Sequence, residues 1–187
     1  MRLGPMLRRH RILMLSLAAL VAAPAPAAQA RSRGVASCAS AAVQPSSANR
    51  ALAEAATLCL VNRERTRRGL RPLRANRHLV AAARAHSADM VRRGYFEHGA
   101  FATRIRRHGY GTGGHAWTLG ENIAWGSAEL ATPASIVNAW MHSPGHRANI
   151  LYRGFREAGV GVAAGVPDAE AAREGGATYT LDFGTRS

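Results

Sequence analysis

An α+β domain is what this sequence predicts, from two features of its patterning. Three- and four-residue apolar spacing dominates the first half of the chain, while strict alternation is concentrated near the end. Helices first and strands mostly late is the arrangement of an α+β fold, and no internal repeat interrupts it.

From Asn49 a helical period runs through Leu52, Ala55, Ala56, Cys59, Leu60 and Arg63, with Asn49 as N-cap and Gly69 as the stop. Leu70 to Leu73 reads as a short extended connection. A second helix is expected from Asn76 to Arg93, with Leu79, Ala82, Ala83, His86 and Met90 on one stripe and Gly94 at its end. A third, shorter helix covers Phe101 to Arg107. The loop GYGTGG, Gly109 to Gly114, lacks the Lys-Ser/Thr ending and the following helix of a phosphate-binding loop. Leu119 to Trp125 reads as a strand. Pro133 suits a helix start, and Ala134 to Met141 continues it. Ala158–Ala163 and Ala177–Phe183 alternate as strands do, joined by a polar loop over Asp168 to Gly176.

The N-terminal residues stand apart. Arg2, Arg8, Arg9 and Arg11 precede an apolar run of twelve, Ile12 to Ala23, and Ala28-Gln29-Ala30 offers a cleavage pattern. This is the layout of a secretory signal peptide over residues 1–30, too short for a membrane span and interrupted by Pro24 and Pro26. A lipidated Cys38 fits poorly, because fourteen residues separate it from Ala23. Residues 31–49, rich in Ser, Ala, Pro and Gln, are expected as a flexible arm and 50–187 as one domain. No membrane-spanning segment is expected after signal removal. The expected location is the cell envelope, the periplasm or outside the cell, as a monomer.

Removing residues 1–30 leaves 21 basic residues against 11 acids, a net +10, and every basic residue is arginine. That charge favours anionic partners. Nucleic acid is not expected, since no aromatic residues are interleaved with the arginines. Cys38 and Cys59, an even pair in an exported chain, read as one disulfide, with two free thiols as the alternative.

His142 and His146 are four apart, yet Ser143, Pro144 and Gly145 lie between them, so a helix end splits the pair. His86 reads as a packed histidine bonded to backbone. His98 and His146 remain, each beside a helix break where a side chain can enter a cleft. Glu121, in an otherwise apolar strand-like run, needs solvent or donors. It is either a structural acid or a carboxylate aimed at two histidines, as metal ligand or proton acceptor. Spacing alone does not choose.

Five motifs occur in order: Tyr95-Phe-Glu-His98, Gly120-Glu-Asn-Ile-Ala124, Trp140-Met-His-Ser-Pro-Gly-His-Arg-Ala-Asn-Ile-Leu151, Glu157-Ala-Gly-Val-Gly161 and Tyr179-Thr-Leu-Asp-Phe-Gly184. Together, over about residues 52–184, they resemble the CAP (SCP-like) superfamily of cysteine-rich secretory, antigen-five and pathogenesis-related proteins, in its compact bacterial secreted form. The resemblance implies a three-layer α–β–α sandwich with a central, mostly antiparallel sheet. It also implies a cleft of two histidines and two glutamates, in which His98, Glu121 and His146 match three members and Ser143 stands at the fourth. Zinc or another divalent metal, weakly held by His98, His146 and Glu121, is the implied cofactor, and no organic cofactor is implied. Two functions follow as expectations. The first is a non-catalytic extracellular module binding a lipid or an anionic envelope ligand, in keeping with the lack of a Gly-x-Ser-x-Gly nucleophile elbow. The second is a metal-assisted hydrolase with Glu121 as general base.

Overall fold

The computed structural model describes residues 38–112 and 117–186. The expected signal peptide and residues 31–37 of the expected arm lie outside the described residues. Among the described residues there are five α-helices, α1 (Arg50–Thr66), α2 (Arg77–Arg93), α3 (Phe101–Arg107), α4 (Pro133–His142) and α5 (Pro144–Leu151). Four strands, β1 (Arg74–Ala75), β2 (Trp117–Ser127), β3 (Glu157–Ala164) and β4 (Gly176–Arg186), form one sheet in the order β1-β3-β4-β2. Only the two-residue β1 runs parallel to its neighbour; the other pairings are antiparallel.

Period-two alternation gives the sheet two differently filled faces. On β4, Ala177, Tyr179, Leu181 and Phe183 join Val160 and Val162 of β3 in one core with Leu60, Val61, Ile136, Val137, Trp140 and Ile150 from α1, α4 and α5. The intervening Thr178, Thr180 and Asp182 are also fully buried, but against the α2 side. There α2 lies almost on the backbone of β3, because a Cβ at Gly159 or Gly161 would overlap the main chain of α2 at Leu79 or Ala83. Helix α2 thus covers one face while α1, α4 and α5 cover the other, a three-layer α–β–α arrangement. A smaller cluster of Leu79, Ala82, Ile105 and Tyr110 anchors α3 to α2.

Helix α2 is built as the sequence predicts. The Asn76 side chain caps the amides of His78 and Leu79, all five stripe residues are buried, and Gly94 closes the helix at φ +66°. Helix α1 differs. Its inward face is Ala53, Ala56, Thr57, Leu60 and Val61, while Leu52 is 56 % exposed. An alanine-rich segment offers weak contrast between faces, so the stripe was displaced by a residue. Asn49 precedes this helix without capping it; its Oδ1 accepts from the Ser46 amide at 2.7 Å.

Residues 38–49, expected within a mobile arm, are turns packed on the domain. Cys38 and Cys59 form a disulfide. The Ala41 carbonyl accepts from the Ala134 amide at 2.9 Å, and Ala41 and Val43 pack on the main core. A crosslink, one backbone hydrogen bond and the packing of Ala41 and Val43 order a stretch whose composition alone signals flexibility.

Candidate functional site

The centre of the site is Glu121 on edge strand β2, its side chain only 1 % exposed. His98, in the turn between α2 and α3, places Nδ1 2.8 Å from Glu121 Oε1. The guanidinium of Arg104, from α3, donates to the other oxygen, Oε2. A buried carboxylate is tolerable when a cation and further donors satisfy it, and both oxygens are engaged here. Since Nδ1 of His98 serves Glu121, Nε2 is the ring nitrogen left for solvent or ligand, on a side chain 50 % exposed.

Beneath this pair sits a second acid. Asp182 of β4 lies directly opposite Glu121 in the β2–β4 register, so both side chains leave the same face of the sheet. It is fully buried, and neither carboxyl oxygen finds a donor among the described residues. Burial first, and then the neighbouring Glu121 charge, push the Asp182 carboxyl well above the usual carboxylate range, with Arg104 opposing them. Two adjacent buried carboxylates cannot both ionise. Asp182 carries the proton, and a protonated carboxyl can donate towards Glu121. Burial, followed by the charge of Arg104, likewise holds the His86 imidazole below the ordinary histidine value. His86 is the packed histidine expected, with Nε2 2.9 Å from the Glu97 carbonyl.

His146 arrives from the other side of β2. Helix α4 ends at His142 and α5 starts at Pro144, so the two histidines stand on separate helices, as the proline required. Two asparagines lock α5 to the edge strand. Asn122 Nδ2 donates to the His146 carbonyl at 3.0 Å, and Asn149 Nδ2 donates to Asn122 Oδ1 at 2.9 Å and the Glu121 carbonyl at 3.2 Å. The buried Arg65 of α1 holds the far end of α5 through the carbonyls of Ile150 and Tyr152. Trp140 closes the core behind, its indole N–H donating to the Ile123 carbonyl. Half-buried His146 is held below the ordinary histidine value by burial, and next by the nearby His98.

Of the three residues singled out in the sequence, His98 and Glu121 are in direct contact, and His146 lies near His98. Arg104, Asp182, Asn122 and Asn149 escaped notice as site residues. Both asparagines and Asp182 stood within quoted motifs, whereas Arg104 is one arginine among many in the chain and carried no signal. Ser143 caps neither helix with its side chain.

Arg104 also faces outward. A groove of about 650 Å³ between α2 and α3 is lined by Asp89, Arg92, Arg93, Tyr95, Arg104 and Arg107 among others. Asp89 is shared by Arg92, Arg93 and the Tyr95 hydroxyl, which leaves the lining predominantly cationic.

A metal held by His98, His146 and Glu121 does not fit this arrangement. Both Glu121 oxygens are taken, and a cation would have to displace a guanidinium. Among the described residues no three His, Cys, Asp or Glu side chains converge in a metal-binding group, and two imidazoles fall short of the three protein ligands of a catalytic zinc.

A mixed four-stranded sheet between helical layers, with the His98–Glu121 pair at its edge, matches the class of extracellular-type CAP domains. The sequence profile of the cysteine-rich secretory protein family, CAP, matches residues 58–170, and the chain belongs to this family. It is 41 % identical over 107 residues to the uncharacterized protein YkwD of Bacillus subtilis (strain 168), covering 54 % of this chain and 39 % of that one. An extracellular protein containing an SCP domain from Bacillus anthracis str. Ames superposes with a TM-score of 0.57 at 28 % identity, over 72 % of this chain and 40 % of that one. A cysteine-rich secretory protein from Staphylococcus aureus Mu50 gives 0.56 at 19 % identity, over 74 % and 40 %. An outer surface protein from Borrelia burgdorferi gives 0.52 at 19 %, over 70 % and 90 %. The last two likenesses concern the fold alone. The chain spans about two fifths of the length of the two Bacillus relatives.

Proposed function

We propose that this is an exported, non-catalytic binding module whose ligand is an anionic lipid of the cell envelope. The observation that carries the reading is the clamp on Glu121. A carboxylate neutralised by Arg104 and hydrogen-bonded to His98 is not a free proton acceptor, so Glu121 is not poised as a general base. What the surface offers instead is the arginine-lined groove over Arg104, large enough for a headgroup and cationic enough to select a negative one. Export accords with the names of the Bacillus anthracis and Borrelia proteins, extracellular and outer surface. No helix among the described residues is long and apolar enough to cross a membrane.

The test is co-sedimentation of the purified protein with phosphatidylglycerol-containing and with neutral phosphatidylcholine vesicles. Binding to the anionic vesicles alone, reduced in Arg92→Gln/Arg107→Gln, is the expected result. Equal binding to both vesicle types, or undiminished binding by the variant, defeats the reading. The metal-assisted hydrolase requires Glu121 to leave Arg104 for a metal-bound water. One-site zinc binding in calorimetry, lost in His98→Ala/His146→Ala, would favour that alternative.

A further inference from the structure

A second cavity lies in the helix layer on the opposite face of the sheet from Glu121 and Asp182. Its volume is about 370 Å³, and residues of α1, α4 and α5 line it together with Arg68 just past α1. No residue of the His–Glu cleft lines it. Its apolar lining includes Leu60 and Val137, both buried, and Met141. Around them stand Arg63, Arg68, Arg147, His142 and Glu64.

The ion pairs in this cavity are unbalanced. Glu64 is its single acid, and its carboxylate is already bound to Arg68 at 2.6 Å and Arg67 at 3.5 Å. Arg63 and Arg147 have no acidic partner among the described residues. More telling, the Arg63 Nε–H is buried and finds no acceptor among the described residues. Leaving a buried charged donor unsatisfied is costly unless something supplies the acceptor. On the same rim, His142 gives its Nδ1–H to the Asn138 carbonyl at 2.8 Å, which leaves Nε2 free. Guanidinium groups without carboxylate partners, converging on a partly apolar pocket, match an oxyanion that carries an apolar substituent.

We propose that this cavity binds a phosphate monoester, with Arg63 and Arg147 holding the phosphate and Leu60, Val137 and Met141 taking the apolar group. The site is independent of the groove over Arg104 and stands whether or not that groove takes a lipid. A phosphate monoester has two sources at a cell envelope, a soluble metabolite or the headgroup of a phosphatidic acid, and the chemistry seen by the arginines is the same.

Calorimetry with phenyl phosphate, using the full-length protein and its Arg63→Gln/Arg147→Gln variant, tests the assignment. One-site binding that weakens at least tenfold in the variant, while His98→Ala leaves it unchanged, is expected. Absent binding, or equal affinity in the variant, overturns the proposal. Arg147→Gln alone, at an exposed position, provides the same readout if the double variant folds poorly. Co-sedimentation with vesicles containing phosphatidic acid separates the sources. A deficit confined to the Arg63/Arg147 variant assigns the lipid, and phenyl phosphate binding with no such deficit assigns the soluble ester. Failure of the Arg92→Gln/Arg107→Gln test leaves this result untouched, so the two sites fail separately.

Discussion

Replacing Arg104 by methionine removes the cation from a carboxylate that has almost no water. The Glu121 side chain is 1 % exposed and Arg104 itself 17 %, so solvent cannot take over the guanidinium's role. His98 retains one hydrogen bond to Oε1, but Oε2 loses its cationic donor and keeps only Asp182 as a neighbour across the strands. Breaking a buried pair by deleting one partner costs about 3–5 kcal/mol, and methionine keeps most of the side-chain volume, so the cost is electrostatic. Arg104→Met should therefore be destabilised by about 3–5 kcal/mol at pH 7.5. Adding Glu121→Gln should restore most of the loss. Urea unfolding followed by circular dichroism at pH 7.5 compares the parent protein with both variants. A cost below about 1 kcal/mol, or no recovery from Glu121→Gln, would refute the buried-clamp account.

Three further outcomes are expected. Asp182 is raised by burial and by Glu121, so the stability it contributes is complete below its unfolded value near pH 3.9 and declines as pH rises toward its folded value. Asp182→Asn, which mimics the protonated acid, should gain on the parent protein steadily from pH 4 to pH 8 in urea titrations; a constant difference would show that Asp182 is ionised. Reducing the Cys38–Cys59 bond, which joins residues 21 apart, should remove about 3 kcal/mol and lower Tm by about 6–12 °C. An unchanged Tm in dithiothreitol, with both thiols titratable, would contradict it. Gly161→Ala should cost about 1–3 kcal/mol or more, because the new methyl meets the α2 backbone at Ala83; a neutral Tm would mean that α2 does not lie so close.

The elements with a strong local signal were legible from the sequence. Asn76, the Leu79–Met90 stripe and Gly94 delimit α2 because capping and apolar spacing act within a few residues. Pro144 separates His142 from His146 for a purely local, steric reason. Residue type and local context singled out His98, Glu121 and His146 one by one, but only motif resemblance grouped them, since no rule of spacing joins residues so far apart. What only the tertiary structure decided is the chemical state of that trio. Whether Glu121 is a base, a ligand or half of an ion pair depends on Arg104 reaching it from α3 and on strand register setting Asp182 opposite it. Neither is a local property. Alternation says that a strand residue faces one side of a sheet, but the partner it meets there is set by pairing and packing between segments distant in the chain. The same limit explains residues 38–49, where composition reads as a loose arm, and a disulfide with contacts to α4 makes it part of the domain.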